Sequence, residues 1–157
     1  MKLYASMTYQ NKYIPSYPYE IDVKNAEQLK NLVQISDHVF AKFRDGKTLK
    51  GKFYRAHRSR KDWLYSECLY GDIDNDGNAK NYTMADFQKE FAKYEFYLYT
   101  SKSHNKVKNG VVAERFHVIF PVEKIDDITL HRGYLDTLHL KMFERKVLDK
   151  QCIDSTR

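Results

Sequence analysis

The chain has 157 residues, 42% of them hydrophobic and 31% charged, with a formal net charge of +6 and a pI near 9.1. That composition excludes a disordered or fibrous chain, and the length suits one domain with a single core. No apolar run approaches the roughly 18 residues that span a bilayer, and Cys68 and Cys152 form no C-x-x-C pair. A soluble cytoplasmic protein with no membrane association, disulfide framework or structural zinc is therefore expected.

Along the chain, Leu3 to Ile14 reads as a strand followed by a loop through Pro15-Ser16-Tyr17-Pro18. Asn25 is placed to cap a helix, with Gln28 closing a box three residues later. Leu29, Leu32, Val33, Phe40 and Phe43 recur at helical spacing, so that helix is expected to run to Asp45-Gly46. Between Lys42 and Lys61 lie nine basic residues (Lys42, Arg44, Lys47, Lys50, Lys52, Arg55, Arg58, Arg60, Lys61) against one acid, Asp45. The run is either a solvated surface or a patch for the phosphates of a polyanion. Phe53-Tyr54 suggests a short strand inside it.

Trp63 to Asp74 reads as a buried strand ending at an acidic cluster, and Asn75-Asp76-Gly77 as a turn. Thr83 caps a helix carrying Met84, Phe87 and Phe91. Tyr94 to Ser101 is an aromatic strand, Lys102 to Gly110 a polar, hairpin-like loop, and Arg115 to Phe120 a strand stopped by Pro121. Asp126 or Asp127 caps a long helix with Ile128, His131, Leu135, Leu138 and Met142 on one side. Val147-Leu148-Asp149 opens a last strand. This order gives an α+β fold, a mainly antiparallel sheet covered by helices on one face.

In Asp72-Ile73-Asp74, side chains of period two put both carboxylates on one side of the strand. Paired carboxylates repel one another and attract divalent cations, and a two-metal site uses such hard oxygen ligands. Residues 72 to 77 also match the first six positions of an EF-hand calcium loop. Its twelfth position, where a bidentate Glu is needed, is Thr83, and an apolar strand rather than a helix precedes Asp72, so that reading is rejected. Downstream, Ser103 and His104 offer hydrogen-bond donors, and Lys102 and Lys106 add positive charge, a set suited to a triphosphate. Alternation places Arg115 and His117 on one face of their strand, with Phe116 and Val118 in the core. Arg115 and His117 are candidates for the same anion.

Asp72-Ile73-Asp74, Tyr99-Thr100-Ser101-Lys102-Ser103-His104 and Arg115-Phe116-His117-Val118-Ile119-Phe120-Pro121 together resemble the archaeo-eukaryotic primase superfamily. The likeness is nearest to primase-polymerases of phages, plasmids and related mobile elements, and covers roughly Arg55 to Arg157. It implies an RRM-like catalytic unit over residues 63–157, joined to an N-terminal basic α/β unit over 1–62 in one catalytic domain. It also implies templated nucleotidyl transfer with two Mg2+ or Mn2+ ions held by Asp72, Asp74 and a third acid, Asp149, with Asp154 in reserve. By the same likeness, His104 joins the three acids as a catalytic residue. Lys102, Ser103, His104, Arg115 and His117 would bind the incoming NTP or dNTP, and Lys52, Arg55, Arg58 and Arg60 a single-stranded DNA template.

Two departures stand out. The usual Ser-x-His has Lys102 in its first place, with serines at 101 and 103. The family usually continues through another strand beyond Arg157, so a longer natural protein, with a module such as a helicase, is expected. Two other functions are open: a non-catalytic single-strand-binding module of RNA-recognition type, and a replication-initiator nuclease. The glycine-aromatic signature of the first and the His-hydrophobic-His pair of the second are both missing from the sequence.

Overall fold

The computed structural model describes residues 1–6, 15–75, 81–143 and 156, with backbone alone for 141–143. The strand expected at Val147-Leu148-Asp149, and with it Asp149, Asp154 and Arg157, lies outside the described residues, as does the Asp76-Gly77 half of the turn. The described residues fall into two compact units, 1–68 with 122–131 and 156, and 69–121 with 132–143. Every strand pair for which a register is given is antiparallel, and with three α-helices among the described residues the chain is α+β. None of the described helices is long and apolar enough to cross a membrane.

In the first unit, β1 (Lys2–Ala5) lies between β2 (Tyr19–Asp22) and β3 (His38–Val39). A central strand is shielded on both faces, and Leu3, Tyr4 and Ala5 are all buried. Helix α1 (Ala26–Ile35) starts where the sequence indicates: Gln28 N donates to Asn25 Oδ1 at 2.9 Å. Gln28 Oε1 in turn accepts from Lys24 N at 2.8 Å.

The helix stops at Ile35, eight residues short of Phe43. Ser36 is already extended, its N–H bonded to Leu32 O, and the chain passes into β3 and β4 (Ala41–Phe43). The helical spacing of Phe40 and Phe43 with Leu29 and Leu32 is a coincidence of two patterns. Val39, Ala41 and Phe43 are buried with strand periodicity, and packing with Tyr4, Tyr17 and Trp63 outweighs the weak helical preference of Ser36-Asp37. Strand β4 pairs with the start of β7 (Trp63–Ile73), Ala41 facing Ser66 and Phe43 facing Trp63. Strands β5 (Gly46–Lys47) and β6 (Phe53–Tyr54) form a separate hairpin within the basic run.

The second unit is organised around Phe87 on α2 (Met84–Glu90), which is wholly buried. The Phe91 ring stacks on it at 4.4 Å, and Phe96, Phe116 and Phe120 close round it at 5.2–6.0 Å. Thr83 and Asp86 form the capping box of α2. Strands β8 (Tyr97–Thr100) and β11 (Phe116–Ile125) pair with Phe116 facing Thr100 and His117 facing Tyr99. Phe116, Val118 and Phe120 enter the aromatic cluster, and alternation turns His117 to the opposite face, where Tyr99 stacks on it at 4.8 Å.

Pro121 does not stop β11. The ladder to β8 closes at Ile119, so the N–H that proline lacks has no partner to lose on that edge. The loop before β11 holds a short hairpin of β9 (Val107–Lys108) and β10 (Val111–Val112). Its Asn109 and Gly110 have φ of 52° and 79°, the left-handed pair that a two-residue hairpin turn requires. Asp127 Oδ1 caps α3 (Ile128–Phe143), accepting from Thr129 N at 2.7 Å and Leu130 N at 3.2 Å. His131 and Leu135 are buried along it as the spacing indicates, and the Met142 side chain lies outside the described residues.

Candidate functional site

The second unit gathers most of the candidate residues at the end of β7. Ile73 is fully buried in the aromatic cluster, and the carboxylates on either side of it are not: Asp72 and Asp74 keep 15% and 24% of their side-chain surface. Asn75, at φ 48°, then turns the chain. Its amide donates to Tyr82 O at 2.9 Å and to Glu114 O, while its oxygen accepts from Tyr82 N at 2.9 Å. Asn75 thus ties down the turn. With a strand before Asp72 and Thr83 spent on capping α2, the calcium-loop likeness has no structural counterpart.

Each carboxylate has a basic group against it. His117 Nδ1 lies 3.4 Å from Asp72 Oδ1. Lys108 Nζ is ion-paired with Asp74 Oδ2, and Arg115 Nε stands 3.8 Å from Asp74 Oδ1. Asp72 and Asp74 therefore share one end of β7 with three basic side chains, an anionic pair compensated by the protein's own charges.

Arg115 lies on the side that alternation predicts, its Nε near Asp74 as His117 is near Asp72, but it is not presented to an anion: the side chain is wholly buried. Its Nη1 donates to Ser103 O at 3.1 Å and Lys106 O at 2.9 Å, and its Nη2 to Val111 O at 3.1 Å and Lys108 O at 3.5 Å. Carbonyls of an irregular loop need donors once water is excluded, and one planar guanidinium serves four of them. Arg115 organises residues 103–111; the anion-facing groups are the ones it positions.

Among these is His104, half-buried, whose Nδ1 lies 3.0 Å from Arg115 O and 3.2 Å from Arg115 N. That anchor leaves Nε2 as the ring nitrogen directed away from the loop backbone. Ser103 Oγ sits 3.1 Å from Ser101 Oγ, and Lys102 is exposed. Arg115 thus touches all three, Asp74 and the Ser103 carbonyl through its guanidinium and His104 through its main chain, and Asp72 joins them through β7.

Asp149 lies outside the described residues, and among those described no cluster of three His, Cys, Asp or Glu is placed to hold a metal ion. The Asp72–Asp74 pair still fits a divalent cation in its chemistry: hard oxygens, partly open, with the partly exposed Lys108 as the neighbour a cation would displace. Lys108 and Asn75 were not evident from sequence as members of this site. Asn109-Gly110 between Val107 and Val111 is the hairpin signal that would have brought Lys108 towards Asp74.

In the first unit, Lys52, Arg55, Arg58 and Arg60 are all exposed. Arg58 lies over the Tyr17 ring at 5.8 Å and Lys52 over the Tyr54 ring at 5.1 Å. A buried carboxylate braces this segment from beneath. Asp62 Oδ2 accepts from Ser59 Oγ at 2.5 Å and pairs with His57 Nδ1 at 2.7 Å. Burial alone would push the Asp62 carboxyl up, but those hydrogen bonds hold it below its ordinary range. No protein-family model, no curated protein and no solved structure matches the chain.

Proposed function

We propose that the protein is a template-directed nucleotidyltransferase of primase-polymerase type, acting in replication of a mobile element. The observation that carries this reading is the meeting of Asp74, Ser103 and His104 around the buried Arg115, with Asp72 on the same strand end. Strand order supports it as well. β7, β11 and β8 are neighbours in that sequence, and α2 joins the first to the last, which is the connectivity of an RRM-like catalytic sheet.

Asp72 and Asp74, with Asp149, would hold two Mg2+ or Mn2+ ions. When bound, such ions polarise the α-phosphate and neutralise charge on the attacking and leaving oxygens. The chain's own residues supply the rest. His104 Nε2, Ser103 Oγ and the exposed Lys102 offer donors and charge to a triphosphate, which favours departure of pyrophosphate. Arg115 keeps these groups in register by fixing the loop carbonyls. His117, held between Asp72 and Tyr99, orients that carboxylate. Lys52, Arg55, Arg58 and Arg60 are proposed to hold the single-stranded DNA template, the incoming nucleotide being an NTP or dNTP.

A second reading, a non-catalytic single-strand-binding module, is favoured by the pairing of Asp74 with Lys108 and Arg115, which gives the carboxylate a structural role. Incubation with single-stranded template, labelled nucleotides and Mg2+ or Mn2+, with and without primer, separates the two. Product without primer defines a primase, and product only with primer a polymerase. Asp72→Asn combined with Asp74→Asn, near-isosteric changes, is expected to abolish incorporation in a protein that is still folded at the assay temperature, with a lowered melting temperature because Arg115 loses its counter-charge. Incorporation at the wild-type rate in that variant overturns the assignment.

A further inference from the structure

The first unit presents a surface that plays no part at the end of β7. In the β5–β6 hairpin, Gly46 faces Tyr54 and Lys47 faces Phe53. The loop between the strands is closed by hydrogen bonds from Thr48 N to Lys52 O at 2.9 Å, Gly51 N to Thr48 O at 2.9 Å and Lys52 N to Thr48 Oγ1 at 3.2 Å. Gly51, at φ 80°, takes the left-handed position that such a three-residue loop needs. The hairpin is thus held in one conformation, and it rests on the Asp62 brace at its base.

Alternation gives the hairpin two faces. Tyr54 turns towards the base, its ring stacked on His57 at 5.6 Å and 14°. Phe53 points the other way and is 56% exposed, with Lys47 directly across from it. Lys61 donates from Nζ to Lys47 O at 3.1 Å, adding a second cation beside the same pair. A large exposed ring with Lys47 across from it and Lys61 on the Lys47 carbonyl, in a run of nine basic residues and one acid, suits a ligand that is anionic and carries an open π-face. An apolar protein partner would leave the lysines desolvated and unpaired. Duplex nucleic acid keeps its base faces stacked inside, so the ring would gain nothing from it.

We propose that the β5–β6 hairpin is a metal-independent binding site for single-stranded nucleic acid, in which a base stacks on Phe53 while Lys47 and Lys61 neutralise the flanking phosphates. Only the identification of that strand as a replication template rests on the nucleotidyltransferase reading; the binding itself does not.

The test is fluorescence anisotropy of the full chain with a labelled oligothymidylate of about 20 nucleotides, in EDTA, across a salt series. Phe53→Ala is expected to weaken binding about tenfold with an unchanged salt slope, since base stacking is lost and no charge is. Phe53→Trp should retain affinity and show quenching of the added tryptophan on binding. Lys47→Gln with Lys61→Gln should lower the salt slope by about 1.4, at roughly 0.7 for each phosphate contact. These side chains are exposed, and unchanged thermal melts establish that each variant folds. Wild-type affinity in Phe53→Ala, equal affinity for a duplex of the same length, or no binding without divalent ions would each overturn the proposal. Asp72→Asn should bind like wild type, so loss of incorporation in that variant leaves the hairpin site standing, and absence of binding in EDTA leaves the incorporation test untouched.

Discussion

Arg115 Nε stands 3.8 Å from Asp74 Oδ1 while the terminal nitrogens of the same guanidinium serve the carbonyls of Ser103, Lys106, Lys108 and Val111. One wholly buried side chain therefore joins the carboxylate end of β7 to the loop carrying His104. Removing it strands four loop carbonyls and leaves the partly exposed Asp74 to Lys108 alone. Arg115→Met is expected to destabilise the protein by about 3–5 kcal/mol in urea titration, the cost of removing the hydrogen bonds of a buried charged group. Arg115→Lys should recover only part of this, because an ammonium has no planar fork. Amide exchange at His104 and Asn105, whose N–H groups bond Ser101 O and Ala113 O, should quicken in both variants. A surface arginine facing solvent would show neither effect.

Lys108 makes a different prediction about the same carboxylate. Its ammonium is ion-paired with Asp74 and its side chain is 36% exposed, so it competes with any divalent cation that Asp74 takes up. Partly exposed pairs are worth about 0.2–1 kcal/mol. Lys108→Met should therefore tighten Mn2+ binding by up to about fivefold, measured by isothermal titration without nucleotide. Unchanged or weaker Mn2+ binding would mean that Asp74 is a structural partner of the hairpin, as the binding-module reading requires.

The difference between Lys108 and the acidic pair shows what local pattern carries. Asp72 and Asp74 were legible because a strand's period of two acts on adjacent residues, as it does for Phe116, Val118 and Phe120. The caps at Asn25, Thr83 and Asp127 were legible for the same reason, each bonding within three residues. Lys108 reaches Asp74 across 34 positions, through a hairpin turn and an arginine whose burial no local rule indicates. Alternation placed Arg115 on the side of His117, but its burial is set by the carbonyls of residues 103–111, which no local rule brings to it. The helix drawn through to Phe43 failed for a different reason. Apolar spacing alone does not separate a helix face from a strand that begins three residues later, and the packing of Val39 and Phe43 settled it.

Two glycines allow one chemical change to be read in opposite directions. At Gly46 an added methyl group would overlap the Asp62 carboxylate, which is itself fixed by His57 and Ser59. At Gly133, inside α3, an added methyl group meets nothing within 4 Å. Gly46→Ala is expected to destabilise by about 1–3 kcal/mol, as overpacking does. Gly133→Ala should stabilise by about 0.8–1 kcal/mol through helix propensity. Denaturant midpoints check both signs, and a neutral Gly46→Ala would mean that Asp62 can move away and does not brace the basic segment.

His131 gives the fold a dependence on acid. Its ring is buried against Trp63 at 5.7 Å, Nε2 lies 3.0 Å from Cys68 O, and Nδ1 has no hydrogen-bond partner among the described residues. Nε2 is therefore the donor, and a second proton on Nδ1 would be buried with nothing to accept it. Burial pushes the pKa below the ordinary histidine value, and the bond to Cys68 O opposes that only in part. The unfolded chain, with His131 near 6.5, then binds more protons than the folded one below that pH. Stability from this residue is present in full above about pH 6.5 and falls as the pH drops through the lowered folded value, by at most about 1.4 kcal/mol per unit. Urea titrations at about pH 7.5, 6 and 5 should show this loss in the wild type. In His131→Gln, which keeps a donor for Cys68 O but does not titrate, the slope between pH 6.5 and 5 should be shallower. Equal slopes in the two proteins would mean that another group carries the acid sensitivity.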